Sequence, residues 1–178
     1  EVWVPMTVGG GIRSVDDVQQ ALRAGADKVA INTAATERPA LINECVKAFG
    51  SQCIVGQVDI RRVGMEGASW VAMTNNGRDT FKDAVDWIHE LEDRQVGELL
   101  ITSVDRDGTL TGCEAGIMSR TSGEMPVILS GGFGHPQHAI DAFAAGADGI
   151  AIGRWLHDGG DLSRMKDDLD ALGVEVRM

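Results

Sequence analysis

An α/β fold of the (β/α)8 barrel class, the TIM barrel, with six of its eight βα units present, is what this sequence predicts. Three observations predict it. First, a 29-residue segment is written twice: Pro5 to Thr33 (PMTVGGGIRSVDDVQQALRAGADKVAINT) lies on Pro126 to Arg154 (PVILSGGFGHPQHAIDAFAAGADGIAIGR) without a gap and with ten identities. Each copy reads apolar run, double glycine, amphipathic stretch, Gly-Ala-Asp, apolar run. Second, short apolar runs alternate with amphipathic segments along the whole chain, and runs apolar on both faces suit buried parallel strands. Repeated βα units make an open doubly wound sheet or a barrel, and a two-fold internal copy suits a ring built from halves. Third, eight units take about 250 residues, so the 178 residues present hold five to six.

The elements follow in order. Strands are expected at residues 2–8, 28–31, 53–59, 99–103, 127–129 and 149–152, and helices at 15–24, 37–49, 81–94, 135–145 and 162–172, with a short helix around 115–120. Pro39 near one helix start and Gly25, Gly50 and Gly146 after others fit start and stop chemistry. Residues 68–74 and the turn Asn75-Asn76-Gly77 read as a small hairpin inserted in a strand-to-helix loop. The whole chain, 1–178, reads as one domain. It opens on Glu1 already inside a strand pattern, so two units are expected to be missing from the front, leaving strands three to eight.

Composition narrows the function. With 43% apolar and 24% charged residues the chain resembles a soluble globular protein. A net charge of −11 repels phosphodiester backbones, so nucleic acid is not an expected partner. The sequence contains neither an 18-residue apolar run nor a signal-peptide pattern. Three cysteines, Cys45, Cys53 and Cys113, match no metal or redox spacing and point to a reducing, cytoplasmic setting.

In a barrel the loops after the strands form the active face. Gly9-Gly10-Gly11 and Ser130-Gly131-Gly132 both fall there, as do Asn32-Thr33 and Gly153-Arg154 at the ends of the following strands. Backbone free of side chains lets N–H groups converge on an anion, and a helix N-terminus adds a favourable dipole. The Thr33 hydroxyl and Arg154 supply further donors. Two such cradles imply a substrate with phosphate at both ends; the plainer alternative is that the glycines only make tight turns.

VGGGIRS, GADKVAINTAA, FGSQCIV, SVDRDGTLTG and SGGFG, in this order, resemble the cyclase subunit of imidazole glycerol phosphate synthases, the HisF type, over essentially the whole chain. The isomerase of the preceding step shares the double phosphate logic, but INTAA and FGSQC favour the cyclase. The resemblance implies a reaction of histidine biosynthesis in which ammonia and a phosphoribulosyl formimino-carboxamide bisphosphate yield imidazole glycerol phosphate and an aminoimidazole carboxamide ribotide. No cofactor or metal is implied. Two carboxylates serve there as general acid and base, and Asp59 matches the one on the fifth strand. Its position also makes sense locally, since Cys53, Val55, Gln57 and Asp59 alternate onto one strand face with Asp59 near the C-terminal end. A carboxylate in a partly dry site is tuned for proton transfer; a structural Asp capping the loop is the alternative.

The resemblance places the other carboxylate on a first strand that these residues do not include, so the chain by itself is expected to be inactive or nearly so. It further implies that Asp107, in Asp105-Arg106-Asp107-Gly108-Thr109, lies near the reacting centre, with Thr102 and Ser103 lining the strand end. For Asp105 a turn-holding role is equally in view. Lys28 and Glu98 open apolar strands, where a charge is costly unless paired or functional. In the family these positions belong to a gate admitting ammonia from a glutaminase docked on the N-terminal barrel face; an ordinary surface ion pair is the alternative. His135-x-x-His138 lacks a third metal ligand, and 166–170 reads as a solvated helix face.

Three departures stand out. NNGRDTFKD lacks the Thr-Gly usual after the basic residue, 112–126 is about two residues short, and Arg154 replaces a small residue. They keep open a related subunit paired with amidotransferases that modify surface sugars, and a non-catalytic six-unit scaffold remains a third reading.

Overall fold

The computed structural model describes residues 3–64, 69–74, 78–174 and 176. Among them an open sheet carries six parallel strands in the order β1 (Thr7–Gly9), β2 (Lys28–Ile31), β3 (Ile54–Val63), β6 (Glu98–Ser103), β7 (Val127–Ser130) and β8 (Gly149–Ala151). Neighbours in sequence are neighbours in space, as in a barrel opened along one seam. Helices α1 (Val15–Arg23), α2 (Thr33–Glu37), α3 (Ala40–Phe49), α4 (Ala84–Asp93), α5 (Pro136–Ala144), α6 (Arg154–His157) and α7 (Leu162–Ala171) lie in the crossovers or follow the last strand. This is an incomplete (β/α)8 barrel.

The core lies between the outer face of the sheet and the helices. Val29, Ile31, Val58, Ile60, Leu99, Ile101, Val127 and Leu129 from the strands meet Val18, Leu41, Ile42, Cys45, Trp87, Ile88 and Leu91 from the helices. The opposite, concave face is only half-buried at Leu100 and Ile128, whereas a closed barrel fills that space with side chains.

The repeat holds atom by atom. Asp27 accepts the Met6 amide through Oδ2 at 2.8 Å, and Asp148 accepts the Val127 amide through Oδ2 at 2.9 Å. The Gly-Ala-Asp echo is therefore a side-chain staple that ties each turn to the start of the preceding strand. Gly25 and Gly146, at φ 108° and 102°, end the helices in a conformation that costs a residue with a Cβ. Ser14 and His135 occupy matching N-caps, accepting from the amides of Asp17 and Gln137.

The differences from expectation are local. The expected 37–49 helix starts only at Ala40, as α3, and residues 33–37 form a separate short helix, α2, that was not expected. A residue before proline is pushed out of the helical region, and Arg38 stands between the two at φ −139°, ψ 80°. The helix expected from residue 81 starts at Ala84: Phe81 belongs to β5 (Arg78–Asp83), and Asp83 caps α4 by accepting from Val85 and Asp86. The first strand is shorter than expected, and Val2 lies outside the described residues. Cys53 closes a short 3-10 turn and is not in β3. β3 instead runs four residues past Asp59, because β4 (Ser69–Thr74) pairs with it from Asp59 to Val63 and then with β5. That is the expected hairpin; its turn, 75–77, lies outside the described residues. The short segment Gly112 to Pro126 forms only a 3-10 turn, Ala115–Arg120.

Candidate active site at the carboxyl ends of the strands

Parallel register places Asp59 beside Thr102, Thr102 beside Ser130, and Ser130 beside Ala151 along one rim. Asp59 stands on the concave face. It lines a cleft of about 1040 Å³ with Gly10, Gly11, Asn32, Thr33, Gln57 and Leu100. Burial pushes its carboxyl above the ordinary value, the Gln57 and Asn32 side chains pull it back, and the negative charge of Asp107 pushes it up again. Gln57 donates to Asp59 Oδ1 at 3.1 Å. Sequence reading placed Gln57 on this face but gave it no role; the i, i+2 spacing on a strand was the available signal.

The two glycine pairs share a backbone shape, with Gly10 and Gly11 at φ 95° and 73° and Gly131 and Gly132 at 91° and 90°. Asn32 and Gly153 likewise match, at φ −115°, ψ −89° and φ −112°, ψ −79°. Their surroundings differ. Gly10 and Gly11 are exposed and open, whereas Gly131 and Gly132 are buried under the loop of residues 105–114. The cleft therefore gathers the first cradle with Asp59. Gly131, Gly132, Gly153, Arg154, Asp107 and Thr102 sit outside its lining, farther along the rim.

Ser103 needs correction as a lining side chain. It is 3% exposed and alternates with Thr102 onto the helix-facing side with Leu99 and Ile101; its backbone carbonyl accepts from Asp107 instead, at 3.0 Å. Asp105 has a holding role, accepting the Arg62 amide at 3.0 Å and pairing with Arg61 at 3.4 Å. Arg154 is exposed, and its Nε donates to Asp158 at 2.6 Å. At the other end of the sheet Lys28 Nζ meets Glu98 Oε2 at 2.5 Å across β3. His135 and His138 each spend Nδ1 on a backbone amide, of Gln137 and Gly134. No group of metal-ligating side chains occurs among the described residues, and no described helix is long and apolar enough to cross a membrane. Residues 166–170 lie on α7, which buries only Met165 and Leu169.

Parallel βα units, with glycine turns and a carboxylate at the carboxyl ends of the strands, define a protein of the (β/α)-barrel class with a candidate site on that rim. The histidine biosynthesis protein family matches residues 1–161, and the chain belongs to that family. The imidazole glycerol phosphate synthase subunit HisF of Micrococcus luteus is 46% identical over 184 residues, covering 99% of this chain and 72% of that protein. Its counterpart in Kocuria rhizophila is 44% identical over 181 residues, covering 99% and 71%. That of Myxococcus xanthus is 46% identical over 163 residues, covering 89% and 63%. These names do not favour the sugar-modifying alternative.

Proposed function

We propose that this chain holds the bisphosphate substrate and supplies one acid–base carboxylate in the cyclase subunit of an imidazole glycerol phosphate synthase. The observation that carries the reading is the pair of glycine turns with matched dihedrals on the rim that Asp59 occupies. One phosphate is held at Gly10, Gly11, Asn32 and Thr33, the other at Gly131, Gly132, Gly153 and Arg154. The scissile part of the substrate then lies over Asp59. Desolvation makes that carboxyl a better proton acceptor than an exposed aspartate, and Gln57 fixes which oxygen faces the substrate. Asp107 acts near the same centre, with Thr102 beside Asp59.

Ammonia enters from the opposite end, past Lys28 and Glu98, from a glutaminase of the HisH type seated on that face. The site is set in the cytoplasm. By the family pattern the partner carboxylate of Asp59 stands on a strand outside these 178 residues, so they turn over little substrate by themselves. Rates of imidazole glycerol phosphate formation, with ammonium as nitrogen source, test both points. A chain extended by two βα units is expected to be active and Asp59-dependent. Activity indifferent to Asp59→Asn overturns the assignment, and comparable rates without the extension overturn the predicted inactivity.

A further inference from the structure

The loop between β6 and β7 is anchored by a carboxylate to which the reading above gives no task. Glu114 is 8% exposed. Its Oε2 stands 3.3 Å from Arg106 Nε and 4.0 Å from Arg62 Nη1. Arg106 also donates through Nη1 to the Gly112 carbonyl at 3.3 Å, so one guanidinium ties the loop across its own mouth. The Arg106 carbonyl in turn accepts from the Thr109 amide at 3.0 Å and hydroxyl at 2.7 Å.

This tied loop is seated on the second glycine turn. Gly112 N donates to the Gly132 carbonyl at 2.8 Å. A methyl group on Gly132 would stand 2.1 Å from the Gly112 oxygen, and one on Gly134 would stand 2.6 Å from Leu110 Cβ. One on Gly131 would meet the Ser103 carbonyl at 2.6 Å, the same oxygen that accepts from Asp107. Loop and turn are thus one hydrogen-bonded body, in which the Asp107 amide lies against Gly131: a methyl group there would stand 3.5 Å from it. An amide that donates to an anion makes its own carbonyl a stronger acceptor. The Gly132 carbonyl shares its amide with the Phe133 N–H, so an anion that accepts from Phe133 as well as from the glycine amides strengthens the bond that holds Gly112.

We propose that Glu114 is a positioning residue: through Arg106 it holds the loop that carries Asp107 onto the Gly131–Gly132 turn, so that filling this phosphate site orders Asp107 in the same step. The inference rests on the phosphate reading above.

The test is a titration of the 178-residue chain with inorganic phosphate, followed residue by residue through backbone amide NMR and hydrogen exchange. In the wild type, the amides of Gly131, Gly132, Asp107 and Gly112 are expected to shift with one midpoint, and Gly112 exchange to slow. In Glu114→Gln the turn amides still respond, the Asp107 and Gly112 responses collapse, and Gly112 exchanges about tenfold faster, as one weakened hydrogen bond predicts. Glu114→Asp restores part of the coupling, which a residue serving general stability alone would not do. Loop amides that follow phosphate in Glu114→Gln as in the wild type overturn this inference and leave the phosphate reading standing. The same holds for wild-type Gly112 exchange indifferent to phosphate, a measurement that needs no variant to fold. No response at Gly131 and Gly132 in the wild type overturns both.

Discussion

Gln57 and Asp59, two residues apart on β3, are joined by a 3.1 Å hydrogen bond on the concave face of the sheet. The bond opposes the effect of burial, which raises the Asp59 carboxyl above its ordinary 3.8. Gln57→Leu is therefore expected to move this carboxyl further up, read by NMR titration of its side-chain carbon. An unchanged titration would mean that the bond does not persist in solution.

Asp59 also sets a stability signature. Its folded pKa lies above the unfolded one, so the native state binds the proton more tightly, and stability falls as the pH rises between the two values. Above that window the penalty is constant. Asp59→Asn removes it, so the variant should melt higher than the wild type at neutral pH, and the gain should vanish below pH 3.8. Activity of the extended, active form should fall by about 10²–10⁴-fold in the same variant. A variant less stable at pH 7 would contradict a net desolvation penalty on this carboxyl.

The two glycine turns should respond unequally to one extra methyl group. Gly10→Ala meets open space and bears mainly the cost of a positive φ, about 1–2 kcal/mol. Gly132→Ala meets the Gly112 carbonyl at 2.1 Å as well, which adds roughly 1–3 kcal/mol of overpacking. Urea unfolding of both variants measures the difference; equal losses would mean that the loop above Gly132 yields freely.

At the amino ends of the strands the Lys28 and Glu98 side chains are 35% and 13% exposed. Lys28→Met leaves the more buried charge uncompensated, so it should destabilise more than Glu98→Gln. The loss should be about 1–3 kcal/mol, the cost of an unsatisfied buried group. A double-mutant cycle isolates the pair. Coupling near zero would make it a surface contact, and an effect on glutamine-dependent but not ammonium-dependent activity would support the gate.

The sheet ends at β1 and β8 without further partners among the described residues. Beside β1, Trp3 and Val4 are 87% and 65% exposed. Unpaired strand edges invite pairing, so the 178 residues alone are expected to self-associate, with a mass that rises with concentration in sedimentation. Val8→Lys should weaken the association. A concentration-independent monomer would count against an exposed edge.

The sequence by itself determined the order of βα units, the repeat, the family and the candidate carboxylate. These are recorded in local periodicity and in short motifs that demand particular backbone. The hairpin was legible in its Asn-Asn-Gly turn, but the length of β3 was not, because only pairing with β4 extends a strand past its apolar run. The Asp27 and Asp148 staples were legible as an echo and not as a function, since each bond reaches back 21 residues to a strand start. Tertiary structure alone decided that Ser103 turns away from the site, that one glycine turn is open and the other roofed, and that Glu114 reaches Arg106. Those outcomes depend on which strand face packs on helices and on where a loop settles, and both are settled by contacts between residues far apart in the chain.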